Sequence, residues 1–368
     1  DTERDNFAGV LLSNGKVLAI GGKNSGQYGL RACELYDPGT GTWSQADSLT
    51  WGRWGHEAVT LQNGKVLVAG GDDDYGYSAE IYDPNTDTWT LTSDMQYSHG
   101  QYSSLVLLQD GKVLCTGGWF ASPDGTIAEV YDPGTDTWST VGNMNADRSL
   151  NHTSVLMDNG NVLVIGGTSS GSADIFDPGT GTFTATGSPT AAKNHGVGFK
   201  LTDGRVLAYS KGNIFPPSAS LETYDPNTST WTYHTSTHYG MSAGAGVVMD
   251  NGEILLVAGN VTTGNGAQAE CWFIDGVTAS IENNAIVYND QFSIYPNPAE
   301  NNIQIDLSEI KGGKQVQIID NSGRIVNAYQ AFNENISTVD VSQLESGMYI
   351  CKVIADNGNI RTKKFVVK

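Results

Sequence analysis

Basic residues are scarce in this sequence: lysine and arginine total 20 against 40 aspartates and glutamates, for a net charge of -20. Nucleic-acid affinity comes largely from clustered cations that displace counterions from phosphates, so nucleic acid is not an expected partner. Cysteine is scarcer still. Cys33, Cys115, Cys271 and Cys351 are too few and too dispersed for a disulfide scaffold or a CxxC metal knuckle, and buried free thiols are expected instead. No stretch approaches the roughly 18 uninterrupted apolar residues of a membrane helix, so no transmembrane segment is expected. Asp1–Asp5 carry no apolar signal-peptide core, so the chain reads as mature or truncated. GxSxG, HExxH, phosphate-loop and paired-carboxylate motifs are all missing, which removes the direct signatures of common catalysis.

Glycine, by contrast, is abundant, at 45 of 368 residues, which marks a turn-rich chain. Charge is unevenly spread. Residues 1–291 hold 32 acidic and 12 basic groups and residues 292–368 hold 8 of each, so two differently built regions are expected.

A repeat of about 48 residues organises the first region. NGKVLAIGG at 14–22 returns as NGKVLVAGG, DGKVLCTGG and NGNVLVIGG, then more loosely as DGRVLAYSK at 203–211 and NGEILLVAG at 251–259. A second element follows five times: ELYDPGTGTW ending at Trp43, then its counterparts ending at Trp89, Trp138, Phe183 and Trp231. Each unit reads as four short strands. The Asn-Gly or Asp-Gly pair predicts a tight hairpin with positive φ at both central residues, and the Asp-Pro pair predicts a second turn. Small residues upstream of each NGK element suit an inner strand crowded around an axis.

A GG doublet after an apolar strand, followed by Tyr-Asp-Pro-x-Thr-x-Thr-Trp, resembles the kelch repeat of β-propellers, including the galactose oxidase-like superfamily. The resemblance covers Arg4 to Glu282 and implies a six-bladed kelch β-propeller, with blades near 4–50, 51–95, 96–142, 143–186, 187–235 and 236–282. The sixth copy lacks the Asp-Pro turn and the tryptophan; its third strand is expected at Ala269–Asp275 and its outer strand at Val277–Glu282. A seventh, upstream blade stays open. The tryptophans at 43, 89, 138 and 231 are expected to pack neighbouring blades.

A linker is expected at 285–291, after a propeller spanning 1–284. Beyond it, alternating strands such as Ile303–Leu307 and Gln315–Ile319 predict a small Ig-like β-sandwich over 292–368, so the chain as a whole is all-β. YPNPAENNIQIDL, IIDNSGRIV, LESGMYICKV and the terminal TKKFVV resemble the C-terminal sorting domain of type IX secretion in Bacteroidetes-type bacteria. That resemblance implies export by the type IX machinery, through 292–368, to the cell surface or beyond. It also implies an N-terminal export signal, removed or cut from this sequence, and a tail that is often cleaved.

Function is expected on the face of long loops, which carries exposed aromatics able to stack on sugars. The candidate ligand-binding residues are Trp51, Trp54, Tyr75, Trp119, Phe120 and Tyr239 among the aromatics, with Arg53, His56, Arg148, Asn151, His152 and His195 before the inner strands. His56 and His152 occupy equivalent repeat positions and are expected near the channel mouth, where a ring of His and Arg would take an anionic sugar or a metal. The competing reading is that these residues brace adjacent blades. Asp72, Asp73 and Asp74 form an acidic loop that is a weak calcium candidate, lacking the DxDxDG spacing; no other cofactor is expected. The kelch resemblance to galactose oxidase raises copper chemistry, which needs two tyrosines, two histidines and a cysteine-tyrosine cross-link. Tyr233-His234 and dispersed histidines do not make that set. The leading expectation is a secreted or surface-displayed, non-catalytic module that binds an extracellular glycan or protein. The alternative is a carbohydrate-active enzyme, a sugar oxidase or mutarotase-like protein, using His56, His152 and Arg148.

Overall fold

The computed structural model describes residues 2–367 except 27–28, 74–75, 120–124, 150, 168–170, 191–193, 212–218, 238–240, 243–244, 249–253, 258–259, 262–270, 275–291, 309, 311–313, 321–323, 332–335 and 357–359. The expected sixth outer strand and the linker lie outside the described residues, as do Tyr75, Asp74, Phe120 and Tyr239. The chain divides into two compact units, 1–200 with 204–243 and 201–203 with 244–368.

The first unit is a series of four-stranded antiparallel sheets, the blades of a kelch propeller. The first blade comprises Ala8–Leu11, Val17–Ile20, Cys33–Asp37 and Thr42–Ala46, and the second Glu57–Thr60, Val66–Ala69, Ala79–Asp83 and Thr88–Leu91. The third is Ser104–Leu107, Val113–Thr116, Ala128–Asp132 and Thr137–Thr140, and the fourth Thr153–Leu156, Val162–Ile165, Ala173–Asp177 and Thr182–Ala185. The fifth is Asn194–Lys200, Val206–Lys211, Ala219–Asp225 and Thr230–Thr237. Inner strands of consecutive blades lie side by side from first to fifth. In the second unit, Ala245–Val248, Ile254–Val257 and Cys271–Ile274 form a three-stranded sheet from the sixth repeat.

The continuous apolar run after each NGK is explained by burial on both faces. In the second blade Val66 and Val68 pack with Leu18, Ile20 and Cys33 of the first, whereas Leu67 and Ala69 pack with Val113, Cys115 and Tyr131 of the third. Full burial of each such Val or Leu is worth about 1.5–3 kcal/mol, and these residues are sealed between blades.

Turn chemistry joins the two motifs. Asp37 Oδ1 accepts from the Gly39 N–H at 2.9 Å, and the same turn recurs at Asp83, Asp132, Asp177 and Asp225. The middle residue of Thr-x-Thr is left-handed in all five copies, at Gly41, Asp87, Asp136, Gly181 and Ser229, which explains why Gly, Asp or Ser stands there. Lys16, Lys65 and Lys112 of the NGK elements reach Asp37, Asp83 and Asp132 at 3.0–3.3 Å, because the second strand's start pairs with the third strand's end.

Two expectations are corrected. The NGK hairpin is not a turn with two left-handed residues. Leu12 pairs with Lys16 across a three-residue loop, Gly15 alone takes positive φ (81°), and Asn14 spends its side chain accepting from the Lys16 N–H at 3.0 Å. Trp43 does not pack away like its counterparts. Trp138 is buried, and Trp89 and Trp231 donate from Nε1 to Asp47 O and Gly187 O, but Trp43 stays 43% exposed against Tyr36.

The tail is a two-layered β-sandwich. One sheet holds Ser293–Tyr295, Asn302–Asp306 and Ile336–Asp340, the other Lys314–Ile319, Ile325–Ala331, Gly347–Ala355 and Ile360–Val367. Ile303, Ile305 and Val339 meet Val316, Ile318, Cys351, Val353 and Phe365 in its core. The Tyr-Pro-Asn-Pro segment is tied to the last strand, since Asn297 Oδ1 accepts from the Val366 N–H and the Ala299 N–H donates to Val366 O.

Candidate functional site

The GG doublets lie at the end of the second strand in the first four blades; Gly21, Gly70 and Gly117 pack on the segment that leads into the next blade's inner strand, and Gly22, Gly71, Gly118 and Gly167 on that of their own blade. A Cβ on Gly21 would fall 2.7 Å from Arg53 O and 2.9 Å from His56 Cε1; one on Gly117 would fall 2.9 Å from Arg148 O and 2.7 Å from His152 Cε1. The doublets are therefore the cavity in which the histidines sit. His56 and His152 occupy equivalent places, as their spacing predicts, but both are buried. Burial and then the neighbouring Arg53 hold His56 down to about 3, and burial with Arg148 does the same to His152, so both rings are neutral. His152 Nε2 and the Thr116 hydroxyl are 2.8 Å apart.

Arg53 and Arg148 stand at full burial rather than on an open ring. Arg53 Nη1 donates to Gly70 O and Ser78 O, and Nη2 donates to Ser78 Oγ at 2.6 Å and Glu80 Oε1 at 3.4 Å. Arg148 repeats the pattern on Gly166 O, Ser172 O and Asp174 Oδ2, the last at 2.7 Å. Arg4 does so on Gly21 O, Ala32 O and Glu34. In the third blade His99 takes the arginine's place, with Nδ1 2.9 Å from Gly117 O and Nε2 3.2 Å from Glu129. Two acceptors flanking one ring require an imidazolium. Burial opposes that charge, but Cys115 and the Glu129 carboxylate favour it and carry the ring up to about 10.

The buried acid of each third strand also binds the loop arriving from the blade before. Trp51 is half-buried and lends its N–H to Glu80 beside that of Thr50; Tyr97 and Gln96 do the same for Glu129. These cation-carboxylate units brace the scaffold. The repeated Glu34, Glu80, Glu129, Asp174 and Glu222, two residues before Tyr/Phe in every copy, was the signal in the sequence that could have revealed them.

Above this layer the mouth has its own backbone collar. The residue two before the inner strand is left-handed in four blades, at Asn6, Gly55, Tyr102 and Asn151. Gly55 N–H donates to Asn6 O at 2.8 Å, and Tyr102 N–H donates to Gly55 O at 2.7 Å, stitching blades one to three. A tyrosine at φ 63° is rare and held there by this context.

Side chains form a belt outside the collar. Asp5 pairs with Lys23, Trp54 with Asp72, and Gln101 with Trp119, each a residue before the inner strand bonded to the residue after GG. The belt also links blades: Lys23 Nζ lies 3.8 Å over the Trp54 ring, and Gln101 Nε2 donates to Asp72 Oδ2 at 3.2 Å. Trp119 is 44% exposed. The structure thus links Trp54, Asp72 and Trp119 through Gln101, with Asn151 on the collar series and the long-loop aromatic Tyr102 beside Gly55, and adds Asp5, Lys23 and Gln101, which sequence reasoning left out of the site. Their signal was variability: after the constant GG come Lys23, Asp72, Trp119 and Thr168. Burial and the Asp5 charge raise the Tyr102 phenol, keeping it a hydroxyl donor. His195 and Asp73 are described only as strand backbone. Among the described residues no group of three His, Cys, Asp or Glu side chains gathers as a metal site.

Three stretches, 6–50, 58–96 and 103–145, match the Kelch motif, and 293–368 match the secretion system C-terminal sorting domain. The chain carries kelch repeats and a sorting tail. Such a tail marks proteins that the type IX system exports to the cell surface or releases, so the chain is a secreted kelch protein. An F-box/kelch-repeat protein of Arabidopsis thaliana is 40% identical over 62 residues, 17% of this chain and 16% of the relative, so the chain spans far less than two thirds of that protein. Among solved structures, a fungal alcohol oxidase of the AA5 family in complex with copper aligns over 100% of this chain and 86% of its own, at 18% identity and a TM-score of 0.62. That is a likeness of fold. In the fifth blade the His234 ring is bonded to Thr223 and Tyr233 lies exposed on the outer strand.

Proposed function

We propose that the propeller is a non-catalytic binding module for an extracellular glycan or protein, with the mouth belt of blades one to three as its contact surface. The observation that carries this reading is the division of labour between two layers. Arg53, His56, Arg148 and His152, the groups an enzyme would use, are buried, with the two arginines bonded to scaffold carbonyls and carboxylates and both imidazoles held neutral. The outward-facing layer instead offers aromatic rings and hydrogen-bonding groups that converge from three blades, the arrangement of a recognition surface. A calcium ion bound by Asp72, Asp73 and Asp74 is a secondary proposal, tested by whether calcium shifts the melting temperature.

The test is a glycan array and a pull-down with extracellular proteins, run beside turnover assays on sugars and alcohols with copper added. Saturable binding that falls at least tenfold in Trp119→Ala, with no turnover, is the expected result. Copper-dependent turnover without binding would replace this reading with the oxidase one.

A further inference from the structure

We propose that the ligand taken at the mouth is an uncharged oligosaccharide, with neither carboxylate nor sulfate groups; this deepens the binding reading above and rests on it. Among the described residues, the three arginines that precede the inner strands are committed to buried carboxylates. Arg4, Arg53 and Arg148 are tied to Glu34, Glu80 and Asp174, with side chains at most 5% exposed. Lys23 is engaged over the face of Trp54 and along the backbone of Asp5.

What the mouth offers is of the opposite character. The carboxylates of Asp5 and Asp72 stand exposed at the belt, with the amide of Gln101 bonded to Asp72 and Trp119, 44% exposed, bridged to Gln101. Carboxylate oxygens accept hydrogen bonds from sugar hydroxyls, an amide both donates and accepts, and an indole face covers the C–H face of a pyranose ring. The Tyr102 phenol supplies a further hydroxyl close to Asp5. A uronate or sulfate brought to the same place would meet Asp5 and Asp72 at short range, where salt screens little. The surrounding field adds to the rejection, because residues 1–291 carry 32 acidic against 12 basic groups.

The experiment titrates the full chain with neutral oligosaccharides and with uronate and sulfated oligosaccharides of the same length, at low and at physiological salt. Neutral sugars are expected to bind, with the anionic counterparts at least tenfold weaker and weakest at low salt. Asp72→Asn removes a charge-assisted acceptor and is expected to weaken neutral binding about tenfold, while narrowing the gap to the uronate. Trp43→Ala, an exposed tryptophan on an outer strand, is the control and leaves binding unchanged. Uronate or sulfated sugars binding as tightly as neutral ones would overturn this inference and leave the binding reading standing. No glycan bound, with a protein captured instead, would overturn the inference and keep the module; no ligand of either kind would overturn both.

Discussion

At the scale of single residues, His99 is the position with the clearest consequence. It stands where three other blades have arginine, and its two nitrogens face a carbonyl and a carboxylate. Its folded value, about 10, is raised above the ordinary 6.5. The stabilisation it gives is therefore complete below pH 6.5 and is lost as pH rises through 10. Urea midpoints measured from pH 7 to 10.5 are expected to fall in the natural protein, and His99→Arg is expected to flatten that fall because arginine keeps its charge. An unchanged slope in His99→Arg would remove His99 as the cause. Arg148→Ala strands the Asp174 carboxylate in the interior and is expected to cost about 3–5 kcal/mol in chemical denaturation. The sequence analysis singled out Arg53 and Arg148 but neither His99 nor any of the partners, since the carboxylates lie about 26–30 residues downstream and meet the cations only once the blade is folded.

At the scale of the element, the two kinds of glycine separate. Gly15 and Gly117 both have positive φ, but a Cβ on Gly15 meets nothing within 4 Å while one on Gly117 meets His152 and the Arg148 backbone below 3 Å. Gly15→Ala is expected to cost about 1–2 kcal/mol, the conformational term alone, and Gly117→Ala clearly more, read as a larger loss of melting temperature. Equal losses would mean that packing under the doublet is soft. The four-strand blade, the Asp-Pro turn and the apolar second strand were all legible from periodicity and turn residues, whereas burial of that strand on both faces emerges only from the packing of neighbouring blades. The form of the NGK hairpin was not, because Asn-Gly fits both a two-residue turn and the three-residue loop found here. Cross-strand pairing of Leu12 with Lys16 decides between them.

At the scale of the whole chain, a neutral sandwich follows an acidic propeller, and each brings its own core. Deleting residues 292–368 is expected to leave the blades folded by circular dichroism and to abolish delivery to the surface or medium in a type IX host. Delivery of the truncated chain at the natural level would refute the tail's role. The sorting tail was readable from sequence because its signature segments are the ones its fold binds together, Tyr295–Pro298 against Val366. The mouth belt was only half readable, because Lys23, Asp72 and Trp119 differ from copy to copy and repeat comparison draws attention to what stays the same.

The backbone collar bears on how fast a ligand is captured. Asn6, Gly55 and Tyr102 are fixed to one another through main-chain hydrogen bonds, so the backbone that carries the Asn6 and Tyr102 side chains is already in place and no slow rearrangement of it precedes contact. Association traces in stopped flow are then expected to be single-phased, with a rate that rises linearly with ligand concentration. Differences in affinity among sugars would appear in how long each stays bound.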